Sequence, residues 1–201
     1  FLFFLMWKMR QLAITQKELS VIAATDSLTA VFNRGAFSML VEAYLDQARD
    51  QTVADAGALL IVDADHFKSI NDRLGHDCGD QALRLIAATI KGQLHGADIV
   101  GRIGGEEFAV LLPLSDLGAA RLFAEAIRSF YSAGTIDGLP PGARVTASFG
   151  VAARSGGEGL MPLMRRADEA LYKAKKNGRD SVRLSYERPE TTFVAEPLAV
   201  G

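Results

Sequence analysis

Cysteine is almost missing from this sequence, and its other specialised ligands are scarce. With Cys78 alone, no internal disulfide can form, and the chain suits a reducing compartment. One cysteine and three histidines offer no zinc-type spacing. Charge of one sign is lacking too: a formal net charge of −2 gives no strong pull toward nucleic acid or anionic lipid. What the chain does have is apolar content, 49% of residues, enough for a sizeable core. Its 201 residues suit one compact domain with extensions.

The opening FLFFLMWKMR has no initiating Met and is apolar from Phe1 to Trp7, before Lys8 and Arg10. So short a run cannot span a bilayer, which needs about 20 residues. No charged stretch precedes it, which argues against a signal peptide. The expectation is the cytoplasmic end of a transmembrane helix cut off upstream. Trp7 then sits at the interface, with Lys8 and Arg10 inside. An amphipathic helix packed in a dimer is the alternative. Residues 8–25 read as a helical linker, with Leu5, Leu12 and Leu19 at heptad spacing, Met9 and Ala23 between, and Gln16 breaking the pattern. Either a parallel helix pair or one helix lying on its own domain fits that pattern.

From Asp26 to about residue 185 the periodicity predicts a single domain. Helices are expected over 33–49, 77–94, 116–131 and 160–176, each with apolar residues at helical spacing. Strands are expected over 58–62, 98–103, 107–112, 144–153 and 181–185. Gly104-Gly105 between two of them signals a hairpin. Pro140, Pro141 and Gly142 mark a loop, and residues 186–201 read as a loose tail. The order predicts an α/β (α+β) fold. A mixed, mainly antiparallel central sheet carries helices over it.

The acids fall at suggestive places. Asp63-Ala64-Asp65 ends a buried apolar strand, where alternation points Asp63 and Asp65 the same way. Two acids on one face repel each other unless something positive neutralises them. Glu106 and Glu107 follow the glycine turn, whose backbone N–H groups a phosphate can approach closely. Magnesium takes one or two carboxylates plus substrate phosphates, and a metal pair can clamp both the attacking and the leaving oxygen. Taken separately, the turn also suits a solvated hairpin, and an acid at a strand end also suits a helix cap.

Four stretches together resemble one family. Gly104-Gly105-Glu106-Glu107-Phe108 resembles the GGDEF/GGEEF signature of diguanylate cyclases, with Arg102 ahead of it. DSLTAVFNR at 26–34 resembles that family's opening block. DADHFKSINDRLGHDCGD at 63–80 resembles its second block, and ADEALYKAKKNGRD at 167–180 its closing one. The resemblance runs in order from about residue 26 to 185. It implies a sheet-and-helix fold related to nucleotide cyclases and the polymerase palm. It also implies synthesis of cyclic di-GMP from two GTP molecules across a homodimer. The 3′-hydroxyl of each GTP attacks the α-phosphorus of the other, and two pyrophosphates leave. An upstream sensor, and a cytoplasmic domain anchored to a bacterial inner membrane, belong to the same expectation.

Position by position, the resemblance makes Asp63, the carbonyl of Ala64 and Glu106 metal ligands, for two Mg²⁺ or Mn²⁺ ions per half-site. Glu107 becomes the residue that helps deprotonate the attacking hydroxyl, and Arg102 the neutraliser of charge near the α-phosphate. Asp65 supports the loop or the metals. Asn71 and Asp80 match the guanine readers. A carboxylate accepts from guanine N1–H and N2–H₂, whereas adenine offers Asp80 a lone pair; a buried acceptor left unpaired costs about 1–3 kcal/mol. Lys68, Lys175 and Arg179 match the triphosphate-binding cations. Gly105 and Phe67 border the substrate, Phe67 chiefly as a packing residue.

One position departs from the family pattern. Where an RxxD motif is common, this chain reads His95-Gly96-Ala97-Asp98. Arginine's planar, always charged fork has no equivalent in a mostly neutral histidine. His95 and Asp98 are therefore expected to form a degenerate product-inhibition site. Gly35 also stands where the family often has arginine.

Overall fold

The computed structural model describes residues 24–49, 57–132 and 144–185. Their elements are β1 (Phe32–Asn33), α1 (Arg34–Arg49), β2 (Ala58–Ala64), α2 (Phe67–Leu74), α3 (His76–Gln93) and β3 (Ile99–Arg102). β4 (Glu107–Leu112), α4 (Leu117–Ser132), β5 (Ala147–Ala153), α5 (Leu160–Lys176) and β6 (Val182–Ser185) follow. The apolar opening, the heptad segment through Ala23, the Pro140–Gly142 loop and the 186–201 tail lie outside the described residues. Among the described residues, no helix is long and apolar enough to cross a membrane.

One sheet, ordered β1-β3-β4-β2-β5-β6, organises the molecule. Its centre is antiparallel, through β3–β4, β4–β2 and β2–β5. Its two edges pair parallel, β1 with β3 and β5 with β6. This is the mixed, mainly antiparallel arrangement that the alternation of elements predicts.

β2 is buried at every position because both faces of the sheet are covered. Leu60 and Val62 join a core with Phe108, Phe149, Leu83 and Ile86 under α3 and α4. Leu59 and Ile61 join a second core with Phe37, Val41, Leu163 and Leu171 under α1 and α5. A strand buried on both faces reads as an unbroken apolar run, as Ala58–Val62 does. Each such side chain contributes about 1.5–3 kcal/mol. The close seating of α5 depends on Gly150, where a Cβ would overlap the carbonyl oxygen of Ala167 and the amide nitrogen of Leu171. That seating brings the C-terminal end of α5 to the end of β2.

Two elements escaped the periodicity. β1 has two residues, too few to show alternation. In α2 no residue is buried, and only Phe67 and Ile70 pack against the core. Its Lys68, Ser69, Asn71, Asp72 and Arg73 leave no apolar stripe to recognise. The predicted strand 144–153 shortens to Ala147–Ala153, because only those residues pair with β2.

Candidate active site

The site is assembled where β2 ends and the β3–β4 hairpin turns. The antiparallel register sets Asp63 opposite Glu107 and Val62 opposite Phe108. The Ala64 amide donates to the Glu106 carbonyl at 3.2 Å, so the turn closes over the strand end. Within the turn, the amides of Ile103 and Gly104 both donate to the Glu107 carbonyl, at 2.9 and 3.3 Å. The Glu107 carboxylate lies over Gly104, where a Cβ would overlap its Oε2.

Asp63 is 4% exposed and pairs with Lys175, Nζ to Oδ2 2.8 Å. Burial pushes its pKa up to about 6; Lys175 opposes that shift, and the charges of Glu106 and Glu107 add to it. Three carboxylates therefore act on one another at this point, with one lysine against them.

Arg102 is engaged within the scaffold. Its Nη1 donates to both Asp26 carboxylate oxygens, at 3.1 and 3.3 Å. Its Nε and Nη2 donate to the Gly105 carbonyl, at 3.2 and 2.6 Å. Asp26 also accepts from the Thr29 amide and hydroxyl, at 3.0 and 2.6 Å. Burial pushes the Asp26 carboxyl up, but the bonds from Thr29 and Arg102 outweigh that and hold it below its ordinary value. The arrangement fastens the glycine turn to the start of the domain. Sequence reasoning gave Arg102 to the phosphate and assigned Asp26 no part at all.

α2 brings Asn71 against Gly79 of α3, the residue before Asp80. A Cβ at Gly79 would overlap Asn71 Oδ1 and crowd the Phe67 ring. Asn71 Oδ1 is buried and has no hydrogen-bond partner. A buried acceptor left this way is costly, so it calls for a donor. Phe67 packs against the core, and Lys68 is exposed on α2.

Lys175 lies near the end of α5, and Arg179 in the turn after it, exposed and with a positive φ of 62°. Asp65 parts company with Asp63. Its carboxylate accepts from Ser148 Oγ, Thr146 Oγ1 and the Asp180 amide, at 2.6, 2.8 and 3.0 Å. Of the sequence's two alternatives for Asp65, support for the loop is the one this bonding favours. His95 and Asp98 are joined through the backbone of their own turn. The His95 amide donates to Asp98 Oδ2 at 2.8 Å, and the Asp98 amide donates to the His95 carbonyl at 3.0 Å. They line a groove of about 400 Å³ with Leu114 and Phe123.

The donor set suits a hard divalent cation. Among the described residues, no three His, Cys, Asp or Glu side chains group so as to hold a metal ion by themselves. Magnesium does not require one, because it keeps waters and takes substrate phosphates beside one or two carboxylates. Asp63, the carbonyl of Ala64 and Glu106 could supply such an open site, and added positive charge would favour the charged form of Asp63, whose pKa burial raises first and Glu106 and Glu107 raise further.

Comparison with known proteins agrees with this geometry. A sequence profile described as "Diguanylate cyclase, GGDEF domain" matches residues 23–181. Diguanylate cyclase DgcM of Escherichia coli is 40% identical over 167 residues, which cover 83% of this chain and 40% of that protein. Diguanylate cyclase DgcP of Pseudomonas aeruginosa is 40% identical over 165 residues, covering 81% of this chain and 24% of that protein. The chain thus spans well under half the length of these relatives. Among solved structures, the coiled coil and GGDEF domain of DgcB from Caulobacter crescentus, in complex with c-di-GMP, superposes with a TM-score of 0.84 at 30% identity. It covers 89% of this chain and 94% of that one. The GGEEF domain of a diguanylate cyclase from Vibrio cholerae gives a TM-score of 0.72 at 29% identity, covering 78% and 98%. With its hairpin, its strand-end aspartate and its fold all in agreement, this chain belongs to the GGDEF domain family of diguanylate cyclases.

Proposed function

We propose that this domain condenses two GTP molecules into cyclic di-GMP, each domain of a homodimer presenting one nucleotide. The observation that carries the reading is the register that sets Asp63, paired with Lys175, opposite Glu107 and beside the turn that holds Glu106. The names of the relatives, and the cyclic di-GMP bound in the DgcB structure, support it.

Asp63, the Ala64 carbonyl and Glu106 are the groups to hold magnesium or manganese. Bound metal supplies Lewis-acid stabilisation of phosphate charge and lowers the pKa of a coordinated hydroxyl. Glu107 accepts the proton of the attacking 3′-hydroxyl in this reading. Lys175, Arg179 and Lys68 neutralise the triphosphate, and Arg102 serves by holding the Gly105 carbonyl and thus the turn. Asn71 and Asp80 read guanine: the partnerless Asn71 Oδ1 takes a donor from the base, and the Asp80 carboxylate takes N1–H and N2–H₂. Two domains are needed because one site holds half the substrate.

The test is incubation of the purified dimer with magnesium and GTP, followed by mass analysis. Cyclic di-GMP and pyrophosphate are expected. Bound but unconverted GTP would instead make the domain a nucleotide receptor and sink the enzymatic reading. Equal turnover of ATP would remove the assigned roles of Asn71 and Asp80.

A further inference from the structure

We propose that Asp65 is a positioning residue that acts through Arg179, holding the turn after α5 in the one shape that presents this arginine to the triphosphate. The proposal rests on the reading of Arg179 as a phosphate-binding cation.

The turn has an unusual backbone. Gly178, Arg179 and Asp180 follow one another at φ 103°, 62° and 38°. Glycine tolerates this, but a left-handed residue with a side chain is strained. Two in succession persist only where the surroundings hold them. The holding contacts are specific. The Arg179 amide donates to the Ala174 carbonyl at 3.0 Å. The Asp180 amide donates to Asp65 Oδ2 at 3.0 Å. From the far side, Arg128 on α4 donates through Nη1 to Asp180 Oδ1 at 3.1 Å and to its carbonyl at 3.4 Å.

Asp65 is suited to the task because it is itself immobilised. It is 3% exposed, its amide donates to the Thr146 carbonyl at 2.8 Å, and Ser148 and Thr146 donate to its carboxylate. Both oxygens are engaged by these donors, which leaves the metal to Asp63 and Glu106. A rigid anchor two residues beyond Asp63 thus ties the Arg179 turn to the end of β2. Cation and metal-binding strand end are held in one frame.

The experiment measures binding of the α,β-methylene analogue of GTP and of GMP, with magnesium present, by calorimetry. Asp65→Ala should weaken the analogue by about tenfold, or about 1.4 kcal/mol, and GMP by less than about twofold. Asp65→Asn should retain most of the affinity. Its amide oxygen can accept from Asp180 while its NH₂ donates to Ser148 Oγ. Arg128→Ala, which removes the contacts to Asp180 from the α4 side, should shift the analogue in the same direction by about threefold. In an Arg179→Ala background, Asp65→Ala should add nothing further. The proposal is overturned if Asp65→Asn is as damaging as Asp65→Ala, because charge would then matter more than geometry. An additive loss in the Arg179→Ala background, or an equal loss of GMP, overturns it as well. If Asp65→Ala does not fold, unchanged analogue binding in Arg128→Ala overturns it. A different result, unchanged analogue binding in Arg179→Ala alone, would instead remove the phosphate-binding reading of Arg179.

Discussion

Lys175 Nζ lies 2.8 Å from Asp63 Oδ2, a cation from the end of α5 set against the carboxylate at the end of β2. The lysine offsets only part of the charge there. Glu106 and Glu107 still raise the Asp63 pKa alongside burial, to about 6. In chelator, the folded chain therefore holds this proton more tightly than the unfolded chain, whose Asp titrates near 3.8. The resulting stability is fully present below about pH 4 and is lost as pH rises through about 6. Thermal melts across that window should show the loss in the wild type. Asp63→Asn should flatten it, raise the midpoint at pH 7.5, and lower turnover by about 10²–10³-fold. A pH-independent difference between the two proteins would contradict the coupling.

Arg102 fastens the glycine turn to Asp26 and the Gly105 carbonyl. Arg102→Ala is expected to cost about 1 kcal/mol of stability, since the pair is only partly exposed. Turnover should fall about tenfold or more through misplacement of Glu106 and Glu107. Lysine should rescue little, because it lacks the fork that reaches both partners. Asp26→Ala should reproduce part of the turnover loss although Asp26 has no assigned contact with substrate. Normal turnover in Asp26→Ala would show that the tether is dispensable.

Gly79→Ala tests the proposed guanine-reading role of Asn71 from behind. The added Cβ would overlap Asn71 Oδ1 and crowd Phe67. Relief by backbone shift should cost about 1–3 kcal/mol of stability. Relief by rotation of Asn71 should raise the KM for GTP with little change in the melt. A variant with wild-type stability and wild-type KM would mean that Asn71 does not read the base.

The His95 amide donates to Asp98 Oδ2 at 2.8 Å, and position 95 carries histidine where an RxxD motif has the always charged fork of arginine. Product added to a GTP turnover assay should therefore inhibit weakly or not at all through this pair. Sub-micromolar inhibition that disappears in Asp98→Ala would refute this.

Much of this protein was legible in its residues. β2 could be read because a strand covered on both faces must be apolar throughout, and α5 because its buried side needs Leu163, Ala167 and Leu171 at helical spacing. Asp63 and Glu106 were singled out as metal ligands by the family resemblance; their residue types and positions alone also suited a helix cap and a solvated turn. α2 could not be read, since a helix that buries none of its residues leaves no apolar period. Partnerships were equally hidden. Arg102 and Asp26 are separated by 76 positions, and Asp180 and Asp65 by 115. Such pairs are chosen by strand register and by where a helix crosses the sheet. Local composition thus determined which chemistry was at hand, while the tertiary packing alone decided which acid faces Lys175 and which is bound to the scaffold.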